Sequence, residues 1–287
     1  MVKNVHEFNG NLVFIMSCAD CNVKCKHCYL TYSDSFSGDK LYEVASLLSE
    51  KHEVRINGSE PLLHKDFLKT IKRVNQYSVM TNGLVFKDNY DYIDDVKAAG
   101  VKELAISYHF DLHDRISAVL KDYLEDLFRE ILRHGLEVRI NCSLSKENFR
   151  KVREYCDFCI KLGAHKIRFT NFLKQGRANQ LEDTLFLGSS DRMEFFSIID
   201  SVRKDIPKET LIIERCGSFG RNPKKNNFFC GGGVNGVAIT PSLKVYPCIF
   251  LTQPEHEIGF YNNGKIYIYD SFVYSNEDCS ALIHLNR

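Results

Sequence analysis

Apolar runs of strand length alternate along the first two thirds of the chain with segments whose apolar residues recur every three or four positions. The runs lie at 12–16, 54–57, 77–80, 104–107, 136–141 and 165–169, short enough and apolar enough for buried strands. The segments with helical spacing lie between them, at 41–49, 67–74, 92–99, 123–134 and 149–162. Gly100, Gly135 and Gly163 each stand just past such a segment, where a left-handed C-cap residue is expected. This order of strands and helices predicts an α/β fold with a parallel sheet and right-handed crossovers. Loops at the C-terminal ends of barrel strands are where chemistry is found. Beyond about residue 185 the alternation stops. A helix at 191–202 is followed by Pro207 and then a glycine-rich, cysteine-bearing stretch with hairpin strands at 236–240 and 244–248. The composition shifts near 205, which divides the chain into units 1–205 and 206–287.

At 287 residues, 44% hydrophobic and 26% charged, the chain has the composition of a globular protein with one large domain and a small one. Lys+Arg number 38 and Asp+Glu 37, so no overall field attracts polyanions and nucleic acid is disfavoured as a partner, Arg221, Lys224 and Lys225 forming only a local basic patch. No signal-peptide core and no run of about 18 apolar residues appears. The expectation is a cytoplasmic protein with no membrane partner. There thiols stay reduced, so eleven cysteines read as metal ligands and buried small hydrophobes, not as disulfides.

The stretch SCADCNVKCKHCYL, residues 17–30, carries Cys18, Cys21, Cys25 and Cys28. Four thiols in two CxxC pairs could hold zinc, although structural zinc sites separate their pairs more widely. Four could also close an iron–sulfur cluster of ferredoxin type. Cys21, Cys25 and Cys28 alone form CxxxCxxC, three thiolates that would leave one iron of a cubane open.

The third spacing, in a loop after the first strand of an α/β chain, resembles the radical S-adenosylmethionine (SAM) superfamily. Other segments at strand ends resemble it too. Asn57-Gly58-Ser59-Glu60-Pro61 resembles the family's GGEP motif, with Asn and Ser at its first and third positions. Thr81-Asn82-Gly83 follows the third strand, and Ser107-Tyr108-His109 with Asp111, His113 and Asp114 follows the fourth. Gly176-Arg177-Ala178 resembles a common turn after the sixth. The resemblance covers roughly residues 10–180. It implies a partial (β/α)6 TIM-type barrel in which Cys21, Cys25 and Cys28 hold a 4Fe-4S cluster whose open iron chelates SAM. Glu60 would face the SAM amino group, a charge-assisted contact, while Ser107 and Asn141 would meet its carboxylate or ribose. Asn82 would be a further contact. His27 stands where the family often has a large hydrophobic or aromatic residue near the adenine. The activity implied is reductive cleavage of SAM to a 5′-deoxyadenosyl radical, which abstracts hydrogen from an unactivated C–H. Cys18, at the strand end, reads as a packed thiol.

From Cys230 to Cys248 the sequence resembles the auxiliary-cluster module called SPASM, or its shorter form called twitch, although Leu243 stands where a glycine is usual. The implied ligands of one auxiliary 4Fe-4S cluster are Cys216, Cys230, Cys248 and Cys279, with buried thiols or zinc as the alternative. The chain continues only eight residues past Cys279, which argues against a second auxiliary cluster. Cys156 and Cys159 share a helix face. Cys142 is either a buried thiol or a hydrogen donor to a substrate radical. SPASM and twitch enzymes favour a peptide substrate, modified by crosslinking, oxidation or epimerisation. The short N-terminal segment favours a small metabolite such as an amino acid, sugar or alcohol, or a separate peptide-recognition protein. An electron donor of flavodoxin or ferredoxin type is implied in either case. A non-enzymatic metal scaffold leaves the SAM-like motifs unexplained.

Overall fold

A computed structural model describes residues 4–37, 39–207, 209–213 and 231–273. Strands β1 (Val5–Glu7) and β2 (Leu12–Met16) precede the cysteine loop, which is followed by α1 (Lys40–Leu48), β3 (Glu53–Asn57), α2 (Phe67–Val74) and β4 (Ser78–Thr81). Then come α3 (Tyr92–Ala98), β5 (Glu103–Ser107), α4 (His113–Ile116), α5 (Lys121–Arg133), β6 (Glu137–Leu144), α6 (Val152–Lys161) and β7 (Lys166–Asn171). The remainder comprises α7 (Ser189–Val202), β8 (Leu211–Ile213), β9 (Gly236–Ile239), β10 (Lys244–Tyr246), β11 (Gly259–Asn262) and β12 (Lys265–Tyr269). Every strand and helix expected from the apolar pattern is present, with ends within three residues. Gly100, Gly135 and Gly163 take φ of +99°, +76° and +83° after their helices.

The strands form two hydrogen-bonded sheets. One is parallel throughout, in the order β4-β5-β6-β7-β8. The other runs β1-β12-β11-β10-β9-β2-β3, with β2 parallel to both β3 and β9. Thus the strands beyond 230 continue the sheet begun by β2 and β3, and β12 pairs with β1. Between the two sheets, the Gln76 carboxamide does the work of a strand edge. It accepts the Ile56 N–H at 2.6 Å and donates to the carbonyls of Ile56 and Ser78, both at 3.0 Å.

Alternation of side chains places each strand's apolar residues under the helices. On β6, Val138, Ile140, Cys142 and Leu144 enter the main core, so Arg139, Asn141 and Ser143 occupy the other face. At the N-terminal end of that face, Glu103 is buried and paired with Arg139 at 3.0 Å and Lys166 at 2.6 Å. This ionic plug leaves the opposite end for chemistry. In the β9-β10 turn, Leu243 adopts φ +60°, the conformation for which glycine is usual there, at a cost of about 1–2 kcal/mol. Among the described residues no helix is long and apolar enough to cross a membrane.

Candidate active site

The cysteine loop leaves the end of β2 and is held on several sides. Ser17 N–H donates to the Asn57 carbonyl at 2.5 Å, Lys26 N–H to the Ile116 carbonyl at 2.8 Å, and Arg177 N–H to the Cys28 carbonyl at 2.9 Å. The Arg177 guanidinium Nε also donates to the Cys25 carbonyl at 2.9 Å. Gly176, at φ +53°, makes this clasp possible. A Cβ there would lie 2.7 Å from the carbonyl oxygens of Cys28 and Leu30.

Within the loop the four thiols separate into three and one. Cys18 is fully buried, its sulfur 3.5 Å from the Glu60 carbonyl, whereas Cys21, Cys25 and Cys28 are half-buried. Asn82 Nδ2 donates towards Cys21 Sγ at 3.6 Å, and Ser117 Oγ lies 3.8 Å from Cys25 Sγ. Burial raises the Cys21 thiol above its ordinary value. Three accessible thiols in one loop are a donor set suited to an iron–sulfur cluster, and hydrogen bonds to sulfur are among the levers that tune such clusters. Among the described residues no three His, Cys, Asp or Glu side chains converge on a single metal ion.

The loop after β3 packs directly on the cysteine loop. Ser59 and Glu60 N–H groups donate to the carbonyls of Cys18 and Asp20 at 2.9 and 3.1 Å. Gly58 is needed for this approach, since a Cβ would meet Ser17 Oγ at 2.7 Å and Cys18 Sγ at 3.0 Å. Asn57 closes β3, and Pro61 opens a short 3-10 turn. Glu60 is fully buried, with its carboxylate accepting from Thr81 Oγ1 at 2.8 Å and from the Asn82 N–H at 2.7 Å. Burial pushes its carboxyl up to about 7, against those hydrogen bonds, which favour the charged form. Asn82 in turn donates to Asn22 Oδ1 at 2.8 Å and accepts the Leu84 N–H at 2.8 Å. The loops after β2, β3 and β4 are therefore one hydrogen-bonded unit.

Ser107, at the end of β5, is the register partner of Asn141, which lies within β6 three residues before its end. Asn141 Oδ1 is buried and has no hydrogen-bond partner among the described residues, as expected of an acceptor that serves a ligand. His27 Nδ1 meets the Ile116 carbonyl at 3.2 Å, and burial lowers this imidazole to about 4. Of the two readings of Cys142, the structure fits the buried thiol and not the hydrogen donor. It is fully buried on the helix-facing side of β6, where Cys156 and Cys159 of α6 add to the burial that raises its thiol far above the ordinary range. That orientation is a correction: the thiol points away from the face that carries Asn141.

Cys248 lies near the cysteine loop. It and Cys28 both bear on Tyr29, whose phenol burial shifts upward, and Phe250 packs edge-on against Tyr29 at 5.0 Å. Cys216, Cys230 and Cys279 lie outside the described residues. Gln76, Ser117 and Ile116 support the site without having been singled out in the sequence. Their partners lie 20, 92 and 89 residues away, and no local pattern marks them.

No family model matches the chain. Among curated proteins it is 24% identical over 264 residues to the GTP 3′,8-cyclase of Nautilia profundicola, covering 81% of this chain and 79% of that protein. It is 30% identical over 178 residues to the GTP 3′,8-cyclase of Campylobacter jejuni subsp. doylei, covering 55% and 54%. Among solved structures, Streptococcus suis SuiB bound to S-adenosylmethionine superposes with a TM-score of 0.70 at 18% identity, covering 88% of this chain. The chain spans 63% of SuiB's length. SuiB has also been solved with its precursor peptide SuiA, with a TM-score of 0.68 at 17% identity over 86% of this chain and 61% of SuiB. The structure of anSMEcpe with bound AdoMet gives 0.64 at 14% identity, covering 87% of this chain and 77% of that one. These structural likenesses show the α/β fold. The sequence relatives, taken with the motifs at the strand ends, support the radical SAM superfamily and an enzyme whose cofactors are a 4Fe-4S cluster and SAM.

Proposed function

We propose that this radical SAM enzyme takes a hydrogen atom from an unactivated C–H of a peptide substrate. The observation that carries the reading is the separation of the thiols, with Cys18 sealed in and Cys21, Cys25 and Cys28 half-buried in a loop that the segments after β3, β4, β5 and β7 hold. Cys21, Cys25 and Cys28 would hold the cluster. When bound, the cluster and SAM supply an adenosyl-centred radical strong enough for such an abstraction.

The residues around the thiols divide the remaining work. Asn82 and Ser117 place donors against Cys21 and Cys25, which favours the reduced, more negative cluster. Glu60 spends lone-pair positions on Thr81, Asn82 and the Leu62 N–H, and a carboxylate with roughly four such positions keeps acceptor capacity for the SAM amino group. Asn57, Gly58, Ser59 and Pro61 shape the loop that carries it. Ser107 and Asn141 Oδ1, which has no hydrogen-bond partner among the described residues, would receive the carboxylate and ribose, and His27 would wall the adenine side. Cys248, near Tyr29, would belong to an auxiliary cluster with Cys216, Cys230 and Cys279, in a twitch-type segment.

Likeness to the peptide-bound SuiB structure supports the peptide substrate. A small metabolite is the second reading, favoured by the sequence likeness to GTP 3′,8-cyclases. Anaerobically reconstituted, reduced protein should release 5′-deoxyadenosine from SAM. A short peptide encoded beside the gene, or alternatively GTP, should accelerate that release and pass its deuterium to the product. Acceleration by GTP alone would replace the first reading with the second. Iron near eight atoms per chain fits two four-iron clusters, and about four would remove the auxiliary one.

A further inference from the structure

One histidine behind the cysteine loop, His109, has no part in the chemistry above. The Ser143 N–H donates to His109 Nδ1 at 3.1 Å. A backbone N–H can only donate, so Nδ1 is bare and the proton of the neutral ring sits on Nε2. Burial, with His27 and His113 alongside, keeps that imidazole neutral by moving it far below its ordinary value. The residue is only 3% exposed, and its Nε2 has no hydrogen-bond partner among the described residues. A buried donor of this kind calls for an explanation.

What faces the ring is His27. The two imidazoles are nearly perpendicular, at 75°, with centroids 4.4 Å apart. The opposite constraint acts on His27, because the Ile116 carbonyl can only accept. His27 therefore carries its proton on Nδ1 and presents a lone pair at Nε2. Phe172 stands 6.1 Å from the same ring. The turn that presents His109 is itself strained, with Phe110 at φ +49° and held by stacking on Tyr155 at 3.8 Å. Strain persists where the surroundings over-determine it, commonly at functional sites.

We propose that His109 is a positioning residue whose Nε2–H is directed at the face of the His27 ring, fixing that ring as the adenosine wall of the SAM site. The inference rests on the radical SAM reading of the cysteine loop. An N–H to an aromatic face is a weak bond, so its loss should loosen the ring without unfolding the protein. His109 touches no reacting atom. Its loss should therefore appear in SAM affinity, and turnover of the SAM-saturated enzyme should hold.

Two substitutions separate this role from a purely structural one. The Asn amide oxygen lies near the place of Nδ1, and the Gln amide nitrogen near the place of Nε2. His109→Asn keeps the acceptor for Ser143 and loses the far donor, whereas His109→Gln does the reverse. The measurements are SAM Kd on cluster-loaded protein, kcat at saturating SAM, and Tm. We expect roughly 2- to 5-fold weaker SAM binding in the Asn variant at unchanged kcat, the scale of one weak hydrogen bond. The Gln variant should bind SAM within about 2-fold of wild type and melt lower, having lost the Ser143 bond. SAM binding that is weakened by Gln and spared by Asn, or altered equally by both or by neither, would overturn the positioning role. Absence of SAM binding by cluster-loaded wild-type protein would instead overturn the radical SAM reading on which it rests.

Discussion

The Glu60 carboxylate accepts the backbone N–H of Asn82 at 2.7 Å, joining the loop after β3 to the loop after β4. Its other oxygen accepts from Thr81 Oγ1 at 2.8 Å. The group is therefore a brace within the site as well as a candidate partner for a cationic ligand. Burial raises its carboxyl from an ordinary value of 4.5 to about 7. The folded protein thus holds this proton more tightly than the unfolded chain, and folding takes up a proton between those two values. Stability should fall as pH rises from about 4.5 to 7, by a contribution on the order of 3 kcal/mol. Glu60→Gln should flatten that slope in denaturant titrations of the SAM-free protein. An unchanged slope would place the titration elsewhere.

Gly176 is the pivot of the clasp over the cysteine loop. Gly176→Ala adds a Cβ at 2.7 Å from two carbonyl oxygens at a φ of +53°. The left-handed conformation alone costs about 1–2 kcal/mol, and relief of the clash must pull Arg177 off the Cys25 and Cys28 carbonyls. The expected result is faster loss of iron to a chelator, with the sheets intact by circular dichroism. Iron release at the wild-type rate would show that the clasp does not secure the cluster.

Gln76 bridges β3 and β4 through three hydrogen bonds to main chain. Gln76→Leu keeps the bulk but leaves the Ile56 N–H and C=O without partners. Each buried group left unpaired costs about 1–3 kcal/mol. Urea denaturation should report that loss, and amide exchange at Ile56 should speed up. Loss of stability without faster exchange at Ile56 would mean that the seam between the sheets is held by other contacts.

The fold was legible because its helices and strands announce themselves locally. On α5 the buried residues Leu124, Leu127, Phe128 and Ile131 keep helical spacing, and the capping glycines follow where backbone geometry needs them. The grouping of Cys21, Cys25 and Cys28 apart from the buried Cys18 was legible from spacing and from their place after a strand. The side of the sheet on which Cys142 lies was also readable, since Val138, Ile140, Cys142 and Leu144 alternate along β6. That alternation puts Cys142 with the core residues, opposite Asn141. Asn263-Gly264, with φ of +46° and +81°, is a two-residue hairpin signal between β11 and β12 that a search for apolar runs passes over. Gln76, Ser117 and the His109 tautomer were not legible. Each depends on a partner brought from a distant part of the chain, and a single polar residue between apolar ones carries no record of that partner.

Whether three thiols or four hold a SAM-cleaving cluster is decided by one set of parallel reconstitutions. Wild type, Cys18→Ala, Cys21→Ala and Cys25→Ala would be loaded anaerobically, reduced, and assayed for bound iron and for 5′-deoxyadenosine released from SAM. With three ligands, wild type and Cys18→Ala should release 5′-deoxyadenosine, and Cys21→Ala and Cys25→Ala should release none. Loss of cluster and release in Cys18→Ala as complete as in Cys21→Ala, or an iron-loaded wild type that releases none, would contradict a three-thiol, SAM-cleaving cluster.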